Sequence, residues 1–148
     1  MSREFENGEN VSREEHLEGL NELFAEEIEA SLRYLHMAAT VTGLDRLIVR
    51  KTLLENMNET LEHAQSIADK MLQMGGIPKL ELRVSLEPKK TTATEAIRVA
   101  MEVEQAALDA YRELLDKVGD SDMELEEFLR AQVAVESEHV AELKLLLE

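Results

Sequence analysis

The sequence predicts an all-α protein, a four-helix bundle in which one long crossover joins the second and third helices. Three observations lead to this fold class. Apolar residues recur at steps of three and four through four long segments, which is the spacing of one helix face. Glycines stand where these segments end, and both prolines of the chain fall at residues 76–91. Strand-type alternation occurs only at residues 80–84, too isolated a stretch to build a sheet.

The first helix is predicted to begin at Ser12, because the run Ser-Arg-Glu-Glu at residues 12–15 has the pattern of a capping box. Residues 1–11 are polar and acidic, so we expect a flexible N-terminal tail there. The remaining residues, 12–148, have the length of a single domain with one core. We therefore expect one bundle that follows a short tail.

The next helix boundaries are marked by residues that end or begin helices. Gly43 is expected to end the first helix and Asp45 to cap the second, which stops before Gly75. Residues 76–91 are long enough to run the length of a bundle, as a crossover between parallel neighbours does. The apolar stripe predicted for the second helix includes Leu47, Leu54, Met57, Leu61, Ala64, Ile67, Ala68, Met71 and Leu72.

Two more capping boxes mark the second half of the chain. Thr92 with Glu95 is predicted to open the third helix, and Gly119 ends it. Ser121 with Glu124 is predicted to open the fourth helix, which continues to the end of the sequence. The chain is thus organised as two helical hairpins joined by the crossover.

Composition excludes several classes of partner and site. The net charge of −16 disfavours binding to nucleic acid or to an anionic membrane and favours attraction of cations. There is no cysteine, so disulfides, thiolate metal sites and iron–sulfur clusters are excluded. No apolar run is long enough to span a bilayer, and the N-terminus lacks the apolar region of a signal peptide. We expect a cytoplasmic protein.

Charged and polar residues interrupt the inward stripes at repeated positions. Glu27 on the first helix precedes His63 on the second by 36 residues, and Glu104 on the third precedes His139 on the fourth by 35. Glu136 shares a helix face with His139, three residues later. Around a pseudo-twofold axis these residues would converge in the bundle centre, whereas each pair alone also fits an ordinary ion pair. Carboxylates with imidazole suit iron or manganese better than calcium, and zinc is compatible with them.

Two tyrosines follow the same repeat. Tyr34 lies seven residues after Glu27, and Tyr111 lies seven residues after Glu104, so each stands two helical turns from a candidate ligand. They are candidates for donating a hydrogen bond or an electron at the site. The alternative is a pair of core tyrosines with satisfied hydroxyls.

Together these residues resemble the ferritin-like di-iron carboxylate family, most closely the bacterioferritins. The family pattern is Glu, then Glu-x-x-His, then Glu, then Glu-x-x-His on four successive helices. The similarity spans about residues 17–147. The segments that carry it are residues 20–27 with Tyr34 for the first helix, residues 63–78 for the second helix and its exit, residues 98–104 for the third, and residues 136–139 for the fourth.

The resemblance implies a ligand set for two iron ions. Glu27 and His63 would hold one ion, Glu104 and His139 would hold the other, and Glu136 would bridge both. It also implies ferroxidase activity, the oxidation of Fe(II) by O2 or H2O2, in a protein of iron handling. Two alternatives stay open: a di-iron or di-manganese oxidase acting on an organic substrate, and a non-catalytic bundle with a partly degraded metal site.

One ligand position departs from the family. The family's second bridging Glu falls on Thr60. Glu59 precedes His63 by four residues and stands only about 40° around the helix from it. A slight rotation or a π-bulge would let Glu59 serve as a metal ligand instead. The alternative is that Glu59 is a solvent-facing residue.

The departure changes the charge of the expected centre. Two Fe(II) ions bring four positive charges, whereas Glu27, Glu104 and Glu136 bring three negative ones. Either Glu59 supplies the fourth negative charge, or a hydroxide or an exogenous anion supplies it, or one of the two metals binds weakly.

Two further departures concern haem and assembly. The haem-ligating Met of bacterioferritins falls on Leu61, so haem is not expected. The short fifth helix that lines a pore in 24-subunit ferritins has no counterpart after His139. We therefore expect a homodimer, with a larger homo-oligomer as the alternative.

Overall fold

Four long helices form one bundle in the computed structural model, which describes the backbone of residues 2–148 and the side chains of residues 12–148. The all-α class and the crossover between the second and third helices are confirmed. The elements in chain order are α1 (Ser2–Thr40), β1 (Val41–Thr42), α2 (Arg46–Gln73), β2 (Thr91–Thr92), α3 (Ala93–Val118) and α4 (Met123–Leu147).

The core is divided into two apolar clusters. The helices pack chiefly as two hairpins, α1 with α2 and α3 with α4, and α1 also contacts α3. One cluster lies towards one end of the bundle and includes Leu20, Ile67 and Leu125. The other lies towards the opposite end and includes Leu53 and Ile97. On every helix, the residues predicted to hold metal stand between these clusters in the sequence, so the candidate site occupies a polar layer inside an apolar bundle.

The first helix begins earlier than predicted. It runs from Ser2 without interruption through Ser12, so the predicted capping box at Ser12 is wrong. A capping box is a local pattern, and a backbone that is already helical gives Ser12 no free helix end to cap. The predicted flexible tail at residues 1–11 lies outside the residues whose side chains are described, and its mobility stays a prediction. At the other end, Gly43 follows the helix with a φ of 110°, which suits glycine.

The later helix starts follow the sequence with two changes. The Thr92 hydroxyl accepts a hydrogen bond from the Glu95 amide at 3.2 Å, as a cap should. Asp45 occupies the N-cap position of α2, but its side chain makes no capping hydrogen bond. The cap of α4 is Asp122, whose carboxylate accepts from the Leu125 amide at 3.1 Å. The prediction of Ser121 as that cap is wrong, because its hydroxyl instead donates to a carbonyl at the end of α3.

The crossover is fixed along α1 and ends in a strand pair that the sequence did not predict. The Lys79 amide donates to Oδ1 of Asn21 at 2.7 Å, and the Arg83 amide donates to Oε1 of Glu29 at 3.0 Å. Beyond these anchors, β2 pairs in parallel with β1. The pairing ties the turn after α1 to the start of α3.

Part of the predicted core face of α2 is exposed. Leu47, Leu61 and Leu72 belong to the predicted apolar stripe but lie at the surface. The stripe residues Ala64, Ile67 and Met71 are buried as predicted, and Leu53 and Thr60, which lie outside the predicted stripe, are buried with them. The error has a simple cause, since α2 is apolar on more than one face and periodicity alone does not say which face is covered. Among the described residues, no helix is long and apolar enough to cross a membrane.

Candidate metal centre

Five predicted ligands meet in the polar layer between the two apolar clusters. The bundle brings Glu27 from α1, His63 from α2, Glu104 from α3, and Glu136 with His139 from α4 into two overlapping groups. All three carboxylates are buried, and Glu136 is only 1% exposed. Burying this much negative charge is costly unless something compensates it. The arrangement therefore needs positive charge within the site, which protonated histidines or a bound metal ion can supply.

The first group consists of Glu27, His63 and Glu136. Nδ1 of His63 lies 3.1 Å from Oε1 of Glu136 and 3.5 Å from Oε2 of Glu27. One donor atom of each residue lies within 4.8 Å of the others. A single ion at their centre would thus meet two carboxylates and one imidazole.

The second group repeats the first across the bundle. Nδ1 of His139 lies 3.7 Å from Oε2 of Glu104 and 3.9 Å from Oε2 of Glu136. The rings of His63 and His139 are nearly parallel, with an interplanar angle of 16° and centroids 6.0 Å apart. Glu136 belongs to both groups and offers one oxygen to each histidine. It has the position of a bridge.

The donor atoms fit a metal ion better than they fit one another. Nδ1 of His63, Nδ1 of His139 and Oε2 of Glu136 are buried and make no hydrogen bond of good geometry, although Nδ1 of His63 lies 3.1 Å from Oε1 of Glu136. Buried polar atoms in proteins are nearly always paired, so three together need an explanation. Imidazole nitrogen and carboxylate oxygen each carry a lone pair that a divalent transition metal accepts. The donor set suits iron, manganese or zinc.

The pKa values of the three buried carboxylates are shifted in different directions. Burial, together with the neighbouring Glu104, raises the pKa of Glu136 to about 8. Burial also raises the pKa of Glu27, against the opposing effect of His63. For Glu104 burial is outweighed by His139, Glu136 and Tyr34, which lower its pKa to about 2. Of this pair, Glu136 is therefore the first to take up a proton as the pH falls, and Glu104 is the last.

Neighbouring carboxylates raise the pKa of both histidines when no metal is bound. Burial disfavours the imidazolium of His63, but the carboxylates of Glu136 and Glu27 outweigh it and raise its pKa to about 10. Glu104 chiefly raises the pKa of His139, despite burial. A metal binds neutral imidazole, so metal uptake at neutral pH must release protons.

Each tyrosine contacts the carboxylate of the other hairpin. The Tyr34 hydroxyl on α1 donates to Oε1 of Glu104 on α3 at 2.6 Å. The Tyr111 hydroxyl on α3 donates to Oε1 of Glu27 on α1 at 3.2 Å. Burial raises the pKa of both phenols, so both stay protonated and act as donors. Each leaves the other oxygen of its carboxylate directed to a histidine.

Glu59 lies on the outer side of His139. Its Oε2 atom is 2.9 Å from Nε2 of His139. The other ring nitrogen of His139, Nδ1, is the one that faces Glu104 and Glu136. The side chain of Glu59 is 47% exposed, and Glu59 belongs to neither group. The structure therefore does not bring it to the place of a ligand. This contact could not be predicted from residue spacing, because it joins two helices from different hairpins.

Thr60 faces inward without offering a charge. It is 4% exposed, and its hydroxyl donates to the carbonyl oxygen of Asn56 at 2.6 Å. The helix thus presents position 60, not position 59, to the interior. No π-bulge rotates Glu59 inward, since α2 is an uninterrupted α-helix over Arg46–Gln73.

Comparisons with known proteins agree with this arrangement. The sequence matches the family described as Ferritin-like domain over residues 17–148. A solved ferritin-like diiron-carboxylate protein from Bacillus anthracis str. Ames is 30% identical with a TM-score of 0.80, covering 93% of this chain and 98% of that one. The bacterioferritin-related protein of Bacteroides fragilis, a dodecameric thioferritin, is 24% identical with a TM-score of 0.79, covering 89% and 83%. A Dps protein from Bacillus brevis shares the fold at 18% identity and a TM-score of 0.84, covering 93% and 98%. No curated protein matches the sequence.

Proposed function

The chain belongs to the ferritin-like family, and from this premise we propose that it binds two metal ions in the bundle centre and oxidises Fe(II). The observation that carries the proposal is the position of Glu136, which offers one oxygen to each of two histidine-containing groups. Shared carboxylates are what a pair of adjacent metals requires. The resemblance to a diiron-carboxylate protein favours iron over manganese and zinc.

The residues divide into two ligand sets with one member in common. Glu27, His63 and Glu136 would hold one ion, and Glu104, His139 and Glu136 would hold the other. The metals supply the redox chemistry. The protein supplies donors of fixed position, because four helices and two apolar clusters hold them.

The electron balance of the reaction is simple with either oxidant. Two Fe(II) ions give one electron each, and H2O2 takes two electrons and two protons to form two molecules of water. With O2, the same two electrons and two protons yield H2O2. The iron is the substrate and leaves the reaction as Fe(III). The protons released from His63 and His139 on metal binding are a source within the site.

The two tyrosines are proposed to position carboxylates rather than to bind metal. Tyr34 and Tyr111 each occupy one oxygen of a candidate ligand and leave the other oxygen to face the site. Hydrogen bonds of this kind fix the orientation of ligands and tune the metal. Electron donation by either phenol stays a prediction.

The surface supports assembly with further copies. Leu44, Leu47 and Ile48 form a run of large apolar side chains that are largely exposed near the start of α2, and Leu61 and Leu72 are exposed further along the same helix. Clusters of this kind mark interaction sites on soluble proteins. The related protein of Bacteroides fragilis is a dodecamer. We therefore propose a homo-oligomer, and sedimentation of the metal-free protein measures its size.

The test begins with metal counting. Purified protein is stripped with a chelator and titrated without oxygen, with Fe(II) or Co(II), to measure the number of ions bound. The expected result is two ions per chain, followed by rapid Fe(II) oxidation when H2O2 or O2 is added. The paired variants are Glu136→Gln and Glu138→Gln, because Glu138 is exposed on the same helix. The first should lose binding of at least one ion, whereas the second should behave as wild type. No uptake by the wild type would overturn the proposal.

A further inference from the structure

The internal repeat of the bundle makes Thr60 the counterpart of Glu136. Each lies three residues before a histidine of the site, on the second helix of its hairpin, and each is buried. Glu136 enters both ligand groups, whereas His63 is the only residue of α2 that enters either group among the described residues. The centre therefore has a carboxylate bridge on its α4 side and none on its α2 side.

The α2 side is lined by neutral polar groups. The Thr60 hydroxyl donates to the Asn56 carbonyl at 2.6 Å. The nearest acidic residue of the helix, Glu59, contacts the outer nitrogen of His139 instead. This geometry places the carboxylate of Glu59 behind His139 and outside both ligand groups.

The missing charge has an energetic consequence. Two divalent ions carry four positive charges, and Glu27, Glu104 and Glu136 balance three of them once each is ionised. The remaining charge lies in a layer closed by apolar clusters above and below, where an unbalanced charge is costly. A threonine in place of a glutamate shortens the side chain just where a bridging group would otherwise reach the metals.

We propose that the loaded centre takes its fourth negative charge from a small monovalent anion of the carboxylate type, bound on the α2 side next to Thr60. The inference rests on the two-metal function proposed above. An anion with two donor atoms would bridge the two metals on the α2 side, as the carboxylate of Glu136 would on the α4 side. The anion is exchangeable, because no bond ties it to the chain, so the composition of the medium tunes the metal affinity of this centre.

The test uses the full chain loaded with Co(II), whose visible absorption reports its ligands. Acetate and azide are titrated into the protein with two Co(II) bound, and sulfate at matched ionic strength is the reference. We expect a saturable spectral change with acetate and azide and none with sulfate. Calorimetry should show that acetate binds only when metal is present.

A pair of variants assigns the response to position 60. Thr60→Glu supplies the bridging carboxylate from the chain, so the acetate response should disappear. The affinity for the second Co(II) should rise by about tenfold or more. Removing a residue that only hydrogen-bonds to a ligand already changes metal affinity by about tenfold or more, and a new ligand should change it at least as much. Thr52→Glu introduces the same change two turns earlier, where the Thr52 hydroxyl is exposed, and should leave both measurements unchanged.

The outcomes separate this inference from the function on which it rests. Failure to bind two Co(II) ions overturns both. Binding of two ions with a spectrum that ignores acetate and azide but changes with pH assigns the fourth charge to hydroxide and overturns the anion site alone. If Thr60→Glu does not fold, the wild-type titration against sulfate decides, and Thr60→Val, which adds no charge, should keep the acetate response.

Discussion

The hydroxyl of Tyr34 on α1 lies 2.6 Å from Oε1 of Glu104 on α3. The reciprocal contact, from Tyr111 on α3 to Glu27 on α1, is longer at 3.2 Å. The two contacts join the hairpins through the polar layer itself. Each hairpin therefore fixes the orientation of a carboxylate that belongs to the other.

The shorter of these contacts should contribute more to stability. We expect Tyr34→Phe to lower the free energy of unfolding of the metal-free protein by about 1.5–3 kcal/mol, the range for a hydrogen bond to a charged group. Glu104 is that charged group, because its pKa is about 2. Tyr111→Phe should cost less. Urea unfolding at neutral pH measures both, and an equal or reversed order would show that the bond to Glu104 has no special role.

The metal-free protein should lose stability as the pH rises. The pKa of Glu136 is raised from 4.5 to about 8, so between these values the folded state holds a proton that the unfolded chain has released. The pKa of His63 is raised from 6.5 to about 10, with the same consequence in that window. Stabilisation from both groups is complete below their unfolded values and declines as the pH passes through the folded ones.

The variant Glu136→Gln tests this pH dependence. It removes one titrating group and also one of the carboxylates that raise the pKa of His63, so the fall in stability between pH 5 and 10 should become shallower. Unfolding free energies of chelator-treated wild type and variant, measured across this range, give the comparison. A wild-type profile that rises with pH would contradict the assignment of these protons.

Glu59 should act on the metal through His139. Its carboxylate contacts Nε2 of His139 at 2.9 Å and so helps to hold Nδ1 towards the site. We expect Glu59→Ala to weaken metal binding by about tenfold, the lower end of the effect of such partners, because the contact is half exposed. The number of ions bound should stay at two. Glu62→Ala, an exposed neighbour on α2, is the control. A loss of one whole ion in Glu59→Ala would instead identify Glu59 as a ligand.

The start of α4 offers a test away from the site. Asp122 caps this helix by accepting from the Leu125 amide, whereas the Ser121 hydroxyl donates to the end of α3. We expect Asp122→Ala to cost about 1 kcal/mol, the usual effect of losing a cap, and Ser121→Ala to cost less. Thermal unfolding of the two variants compares them. The opposite order would restore Ser121 as the cap.

The fold could be predicted because the patterns that indicate it lie along the sequence. Helical periodicity, glycines at the helix ends and one long connection are all read along the chain. The spacing of Glu27 to His63 and of Glu104 to His139 likewise indicated that the four residues share one layer. Two helical hairpins of nearly equal length bring such positions together without any information on detailed packing.

The remaining features depend on neighbours in space. Glu59 contacts His139, which belongs to the other hairpin, so this contact could not be predicted from spacing along α2. The exposed leucines of α2 could not be told from core leucines, because both have the helical spacing. The pair β1–β2 consists of two residues in each strand, too few to show an alternating pattern. These features depend on contacts between distant parts of the chain, which the periodicity of apolar residues does not predict.

That short strand pair joins the turn after α1 to the start of α3 and so contributes to the alignment of the two hairpins along the bundle axis. Val41 and Thr91 pair at one end of the molecule, and only the crossover links the hairpins covalently. A slip of α3 against α1 by one helical turn, about 5.4 Å, would exceed the reach of both tyrosine contacts and would separate Glu104 from the first hairpin. The strand pair thus helps to keep α3 in register with α1, so a few backbone hydrogen bonds outside the site contribute to the distance between the two candidate ligand groups.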